Sequence, residues 1–128
     1  MKTIKFIFAI LFFLSINACT PKLIGSWNVA SYESKSSDNQ SNVRLNNIGY
    51  LTLNKSGDGE KYIKYNVLGV DKKDSTILHW KANDKFITIE SEGSDLSKTW
   101  LIIENKKKTQ LWKSTDGANQ IQTLELKK

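Results

Sequence analysis

The 128-residue chain has very few of the side chains on which most catalytic and metal centres depend. It contains one cysteine, one histidine and one proline. A single cysteine cannot form an internal disulfide, and one histidine with one cysteine cannot assemble a soft-metal cluster. Any His-dependent centre would rest on His79 alone, and strand alternation places His79 with Ile77 and Lys81, opposite Leu78 and Trp80. We therefore predict no metal site, no cofactor and no enzymatic activity.

Convincing helical periodicity is absent as well, and short alternating segments separated by turn residues take its place. The Gly57–Gly59 turn and the "ANDK" segment each join two predicted strands, and the acids of Asp71–Asp74 also read as turn residues. About eight short strands result, in one domain with a single modest core. This pattern predicts an all-β sandwich or barrel.

The N-terminal segment has the three parts of a signal peptide. Lys2 and Lys5 precede an apolar run, residues 6–14, that is shorter than the ~20 residues of a membrane span. Small and polar residues then lead to Cys19, and a plain signal peptide cut near Ala18 would leave that cysteine incidental.

The tail "SINAC" resembles the lipobox of bacterial lipoproteins. The resemblance implies that residues 1–18 are removed, that Cys19 is lipidated and that residues 19–22 form a short tether to the membrane. Thr20 and Pro21 add no acidic residue after Cys19, which by the same resemblance implies the outer membrane of the cell envelope, facing the periplasm.

The net charge of +6 includes Lys2 and Lys5, so the chain after Cys19 is nearer +4. Basic residues are scattered except in "NKKKTQ", residues 105–110. Two interpretations stay open for this run: a solvated turn between strands, or contact with anionic lipid headgroups. Nucleic acid is not an expected partner, because no basic helix is present and an exported protein rarely meets it.

"LIGSWNV" resembles the first-strand signature of lipocalins, in which a Gly-x-Trp opens the barrel. With a lipoprotein leader and about eight strands, the chain looks like the small lipocalin-like lipoproteins of Bacteroidota. The resemblance implies an up-and-down antiparallel barrel over residues 23–128. Gly25 would allow close backbone approach, Trp27 would plug one end, and Lys127 or Lys128 would pack across the indole.

The same resemblance implies a non-catalytic binding module for a small apolar ligand. Four aromatic residues would line its pocket: Trp27, Tyr65, Trp80 and Trp100. The alternative is that they simply fill the core, since an eight-stranded barrel is just wide enough for side chains or one small ligand.

A second resemblance concerns "SGDGEKY", residues 56–62. It is similar to the Ser-Gly-rich loop of membrane-bound lysozyme inhibitors, which are small β-barrel lipoproteins. It implies a protein partner instead of a small ligand, although Asp58 and Glu60 replace small residues of that loop.

Overall fold

The computed structural model describes residues 21–36, 42–92, 94, 96–116 and 120–128. The predicted signal peptide and Cys19 lie outside these residues. The described chain forms a 3-10 turn at Pro21–Leu23 and eight strands. The strands are β1 (Gly25–Ser36), β2 (Val43–Leu53), β3 (Asp58–Val67), β4 (Val70–Ala82), β5 (Phe86–Glu90), β6 (Thr99–Asn105), β7 (Thr109–Asp116) and β8 (Gln120–Lys127).

Each strand pairs antiparallel with its neighbours in sequence, and β1 also pairs with β8, so the sheet closes into a barrel. The predicted all-β, up-and-down antiparallel barrel of about eight strands is therefore confirmed. No helix in the described part of the chain is long and apolar enough to cross a membrane.

Strand alternation produces the core, because every second side chain points into the barrel. The residues with the most deeply buried apolar side chains come from all eight strands and the entry segment: Leu23, Trp27, Val29, Leu51, Leu53, Ile63, Leu78, Ile87, Ile89, Trp100, Trp112, Leu124 and Leu126. In β6, where both faces are apolar, Trp100 and Ile102 point inward while Leu101 and Ile103 are exposed.

Two turns differ from the sequence prediction. The β2–β3 turn lies at residues 54–57, so Asp58 and Gly59 already belong to β3. Residues 71–74 are not a turn but part of β4, and the chain reverses instead at Leu68–Gly69. Leu68 and Gly69 both have positive φ, which suits a two-residue hairpin turn, and a leucine there gives no sequence signal for one.

The barrel wall is uneven between β4 and β5. Strand β4 pairs with β3 from Val70 to His79, but with β5 only from His79 to Ala82. Before His79 in β4, no β5 residue pairs with the strand. There the Ser91 hydroxyl donates a hydrogen bond from Oγ to the carbonyl oxygen of Ile77 at 3.0 Å. Ser94 Oγ likewise donates to Asp74 Oδ2 at 2.7 Å. Side chains therefore replace a strand partner in this sector, which we call the β4–β5 seam.

The antiparallel order places the connections at two opposite ends. We call one the closed end: it holds residues 21–24, the turns at 54–57, 83–85 and 106–108, and Lys128. We call the other the open end: there β1 and β3 finish, β2 and β4 begin, and residues 91–98 join β5 to β6.

Candidate functional site

A buried tryptophan blocks the closed end. Trp27 has no exposed surface, and its Nε1 donates to the carbonyl oxygen of Leu23 at 2.8 Å. Leu23 is fully buried too. The 3-10 turn therefore packs under the start of β1 and is held there by its hydrogen bond with the Trp27 indole. We call this buried indole at the closed end the plug.

Of the two lysines considered for packing across Trp27, it is Lys128 that does so. Its Nζ lies 4.6 Å from the centroid of the indole ring and donates to the carbonyl oxygen of Ile24 at 3.1 Å. Gly25 has φ +130°, a region that strongly favours glycine. A Cβ there would lie 2.8 Å from Lys128 Nζ, so the side chain that closely approaches the Gly25 backbone is Lys128.

The other indoles fill the half of the barrel next to the plug. Trp100 and Trp112 are fully buried, with ring centroids 6.4 Å apart. The indole nitrogens are all satisfied: Trp100 donates to the Leu96 carbonyl, Trp112 to Gln110, and Trp80 to the carbonyls of Asn54 and Asp58. In the described residues this half is therefore filled by large, hydrogen-bonded indoles.

A cavity of about 290 Å³ occupies the open-end half. This volume is at the lower edge of the roughly 300–1,000 Å³ seen for small-molecule pockets. It is partly open to solvent, and nine residues line it: Tyr32, Ile48, Ile63, Tyr65, Lys72, Lys73, Asp74, Leu96 and Leu124.

Only Tyr65 of the four predicted pocket residues lines this cavity. Trp27 is the plug, Trp80 closes the β2–β3 turn, and Trp100 packs on Trp112. The three tryptophans therefore fill the core, as the alternative interpretation held, and a smaller set of aliphatic and tyrosine side chains surrounds the space.

A buried ion pair adjoins the cavity. The side chain of Lys61 is fully buried inside the barrel, and its Nζ lies 2.8 Å from Asp74 Oδ1. The ammonium has no hydrogen-bond partner in the described part of the chain, so the pair is electrostatic and two or more N–H groups are unused. Asp74, about a quarter exposed, also accepts the Ser94 hydrogen bond, so the carboxylate in the cavity wall is already engaged on both oxygens.

The segment that resembles lysozyme inhibitors lies at the closed end, in the β2–β3 turn and the start of β3. The Ser56 hydroxyl donates to the carboxylate of Asp58, the first residue of β3. This hydrogen bond, assisted by the Asn54 side chain, lowers the pKa of the exposed Asp58 carboxyl below its ordinary value. The serine hydroxyl is thus engaged within its own hairpin, and the inhibitor alternative stays a prediction without structural support.

His79 is exposed on the outer face of β4, as the alternation predicted. In the described residues no three His, Cys, Asp or Glu side chains are grouped so that they could hold a metal ion.

Sequence reasoning missed the buried lysine, the lining residues Ile48 and Leu96, and the core position of Trp112. The sequence does indicate that Lys61 is buried, because strand alternation places residue 61 on the same inward face as Ile63 and Tyr65. Lysine is almost never fully buried unless it is paired, and its partner Asp74 had been assigned to a turn.

No family model matches the chain, and no curated protein matches it. Among solved structures, it is similar to a redesigned β-barrel at 13% identity and a TM-score of 0.44, covering 86% of this chain and 94% of the other. That protein is likewise a β-barrel.

Proposed function

We propose that the protein is a lipid-anchored lipoprotein of the cell envelope, with a lipocalin-like barrel that binds a small, largely apolar ligand without catalysis. The observation that carries this proposal is the 290 Å³ cavity in the open-end half. The cavity lies at the opposite end of the barrel from the plug and is partly open to solvent, as expected of a binding barrel. The lipobox-like sequence at Cys19 supports attachment to the outer membrane on its periplasmic side.

The cavity lining favours an apolar body with one acidic group. Ile48, Ile63, Leu96 and Leu124 provide the apolar wall. Asp74 is already neutralised by Lys61, whereas Lys72 stands on the inward side of β4 and is exposed at the mouth. A ligand acid beside Lys72 would gain a favourable charge pair, and a ligand amine would not.

A cavity-blocking variant tests the binding site. We expect the neutral dye N-phenyl-1-naphthylamine to bind the wild type and to increase its fluorescence there. Ile48→Trp places an indole in the cavity, and we expect it to weaken binding by about ten-fold or more. The matched control is Ile77→Trp, because Ile77 is 72% exposed on the outer face of β4. Equal affinity in the two variants, with both folded by circular dichroism, would exclude the cavity as the binding site.

Competition tests the chemistry of the ligand. We expect dodecanoic acid to displace the dye at lower concentration than dodecylamine, and Lys72→Gln to reduce that difference. If acid and amine compete equally, the cavity binds apolar molecules without regard to charge.

The anchor has an independent test. The wild type is expected to partition into detergent and to carry acyl groups on the Cys19 peptide by mass spectrometry. Cys19→Ala is expected to lose the acyl mass, and a variant that still partitions like the wild type would place the anchor elsewhere.

A further inference from the structure

Positive charge is concentrated at the closed end of the barrel. The turns and chain segments of this end contain one acidic side chain, Asp84, and exposed Asp58 follows directly after the β2–β3 turn. Against these two acids stand seven lysines: Lys22, Lys55, Lys85, Lys106, Lys107, Lys108 and Lys128. In the described connections of the open end, Lys98 is balanced by Glu92. The described connections of the two ends therefore differ in charge, with an excess of lysine at the closed end.

The fold itself does not require this concentration. All seven lysines are exposed, and none forms an ion pair with a described residue. The side chain of Lys128 has a structural role at the plug, but the side chains of the other six show no described contact. The three lysines of the β6–β7 turn are consecutive, well within the ~8 Å Debye length at physiological salt, so they repel one another. Turn geometry favours Gly, Asn, Asp or Pro, and lysine has no such advantage.

These lysines lie on one continuous end, because the closed-end segments are tied together. The backbone N–H of Lys128 donates to the carbonyl of Lys108 at 3.0 Å, and its ammonium reaches Ile24. The Lys85 carbonyl accepts from the backbone N–H of Ile102 at 2.8 Å, which joins the β4–β5 turn to β6. The charges are therefore carried by a fixed surface.

The chain enters the barrel at the same end. Pro21–Leu23 lies beneath Trp27, and Cys19 is two residues earlier in the sequence. Two residues span at most about 7 Å, so a lipid on Cys19 would hold the closed end next to the bilayer headgroups.

We infer that the closed end docks on an anionic lipid surface, with the cavity mouth directed away from the membrane. The orientation rests on the proposed lipid anchor, whereas the charge complementarity does not. Lysines near an anionic headgroup layer gain electrostatic energy that falls off within a Debye length, so docking depends on salt and on lipid charge.

Lysine footprinting of the protein purified from cell membranes tests the inference. The protein is placed in vesicles of phosphatidylcholine, alone or with about 30% phosphatidylglycerol. A water-soluble amine-acylating reagent is then applied and each lysine is quantified by mass spectrometry. In anionic vesicles we expect Lys55, Lys85 and Lys106–Lys108 to react about five-fold more slowly than in neutral vesicles, while Lys64 stays unchanged. About 1 M salt, where the Debye length is only about 3 Å, should abolish the protection.

Charge-reversal variants supply the matched control. Lys106→Glu/Lys107→Glu/Lys108→Glu should remove the protection of Lys55 and Lys85. Lys35→Glu/Lys64→Glu/Lys73→Glu changes the net charge equally but away from the closed end, and should preserve it. Protection that is equal in neutral and anionic vesicles, or that appears at Lys64 instead, would overturn the inference.

Failure of the anchor is distinguished from failure of the docking surface. If the Cys19 peptide carries no acyl mass, the anchor is wrong. The protein is then mixed with the same preformed vesicles, and salt-sensitive protection of the closed end by anionic vesicles alone is still expected. Its absence in that format would overturn the docking surface too.

Discussion

The two ends of the barrel are built from the same eight strands but differ in almost every physical property. At the closed end, indoles occupy the inward positions, their N–H groups are satisfied and Lys128 covers the plug. At the open end, the inward positions carry tyrosine, aspartate and branched aliphatic residues around a cavity, with an ion pair beneath.

The difference shows that strand topology sets the outline of the barrel and that side-chain volume at the inward positions decides where it is hollow. Three fully buried indoles supply most of the side-chain volume in the closed-end half, so that half packs as a solid core. The other half has no tryptophan among its lining residues and leaves about 290 Å³. Stability should therefore be concentrated at the closed end and ligand contact at the open end.

The largest expected effect is on the plug. Trp27→Ala removes a fully buried indole and its hydrogen bond to Leu23, and should lower the free energy of unfolding by about 3–5 kcal/mol. Tyr65→Ala, in the cavity wall, should cost clearly less because Tyr65 is only half-buried. Urea denaturation of both variants measures the contrast, and equal losses would contradict the division into a solid half and a hollow half.

The buried ion pair should show strong coupling. Asp74→Leu leaves the Lys61 ammonium buried without a partner and should cost about 3 kcal/mol in unfolding free energy. Lys61→Met/Asp74→Leu replaces both charges and should recover most of that loss. Asp71→Leu, an exposed aspartate on the same strand, is the control and should change stability by less than about 1 kcal/mol. A double variant no more stable than Asp74→Leu alone would contradict the pairing.

Loss of the lysine over the plug should have a moderate effect. Lys128→Met removes the contact between the ammonium and the Trp27 ring and the hydrogen bond to Ile24, and should lower stability by about 1 kcal/mol. Lys127→Met removes an equal charge whose ion pair with Glu125 is exposed, and should be close to neutral. Thermal unfolding at low and high salt compares them, and similar shifts for both would rule out a specific role for Lys128.

The smallest expected effect is electrostatic. The Ser56 hydrogen bond lowers the pKa of Asp58 in the folded state, so the carboxylate favours folding above its unfolded pKa. This contribution is lost as the pH falls through the lowered folded pKa. Ser56→Ala should raise the pKa of Asp58 toward its ordinary value, as followed by NMR titration of the side-chain carboxyl. An unchanged titration curve would show that the Ser56 hydroxyl does not stabilise the ionised form of Asp58.

Much of the barrel could be predicted from the sequence because period-two alternation is a local signal. Alternation places Leu51 with Leu53 on one face of their strand, and Ile87 with Ile89 on one face of theirs, and all four are buried. The doubly apolar β6 could not be resolved in this way, since choosing Trp100 over Leu101 depends on which face the neighbouring strands bury. The β3–β4 turn was missed because Leu68 adopts a positive φ that leucine sequence preferences do not indicate.

The cavity was harder to predict than the fold. Its lining combines residues from five strands and the β5–β6 connection, so its position depends on register. The prediction chose tryptophans as pocket residues because aromatic side chains are large. Large side chains fill the interior, however, and the cavity lies where the inward residues are smaller. Asp74 illustrates the same limit, because an aspartate that follows two lysines reads as a turn residue until its contact with Lys61 on the facing strand is known.

The β4–β5 seam has a consequence for where the barrel wall opens first. Its closure depends on hydroxyl contacts from Ser91 and Ser94 instead of a continuous ladder, so its backbone amides should exchange with solvent before those of the β1–β8 junction. Local unfolding should therefore begin beside Asp74, where a single serine hydroxyl takes the place of a paired strand.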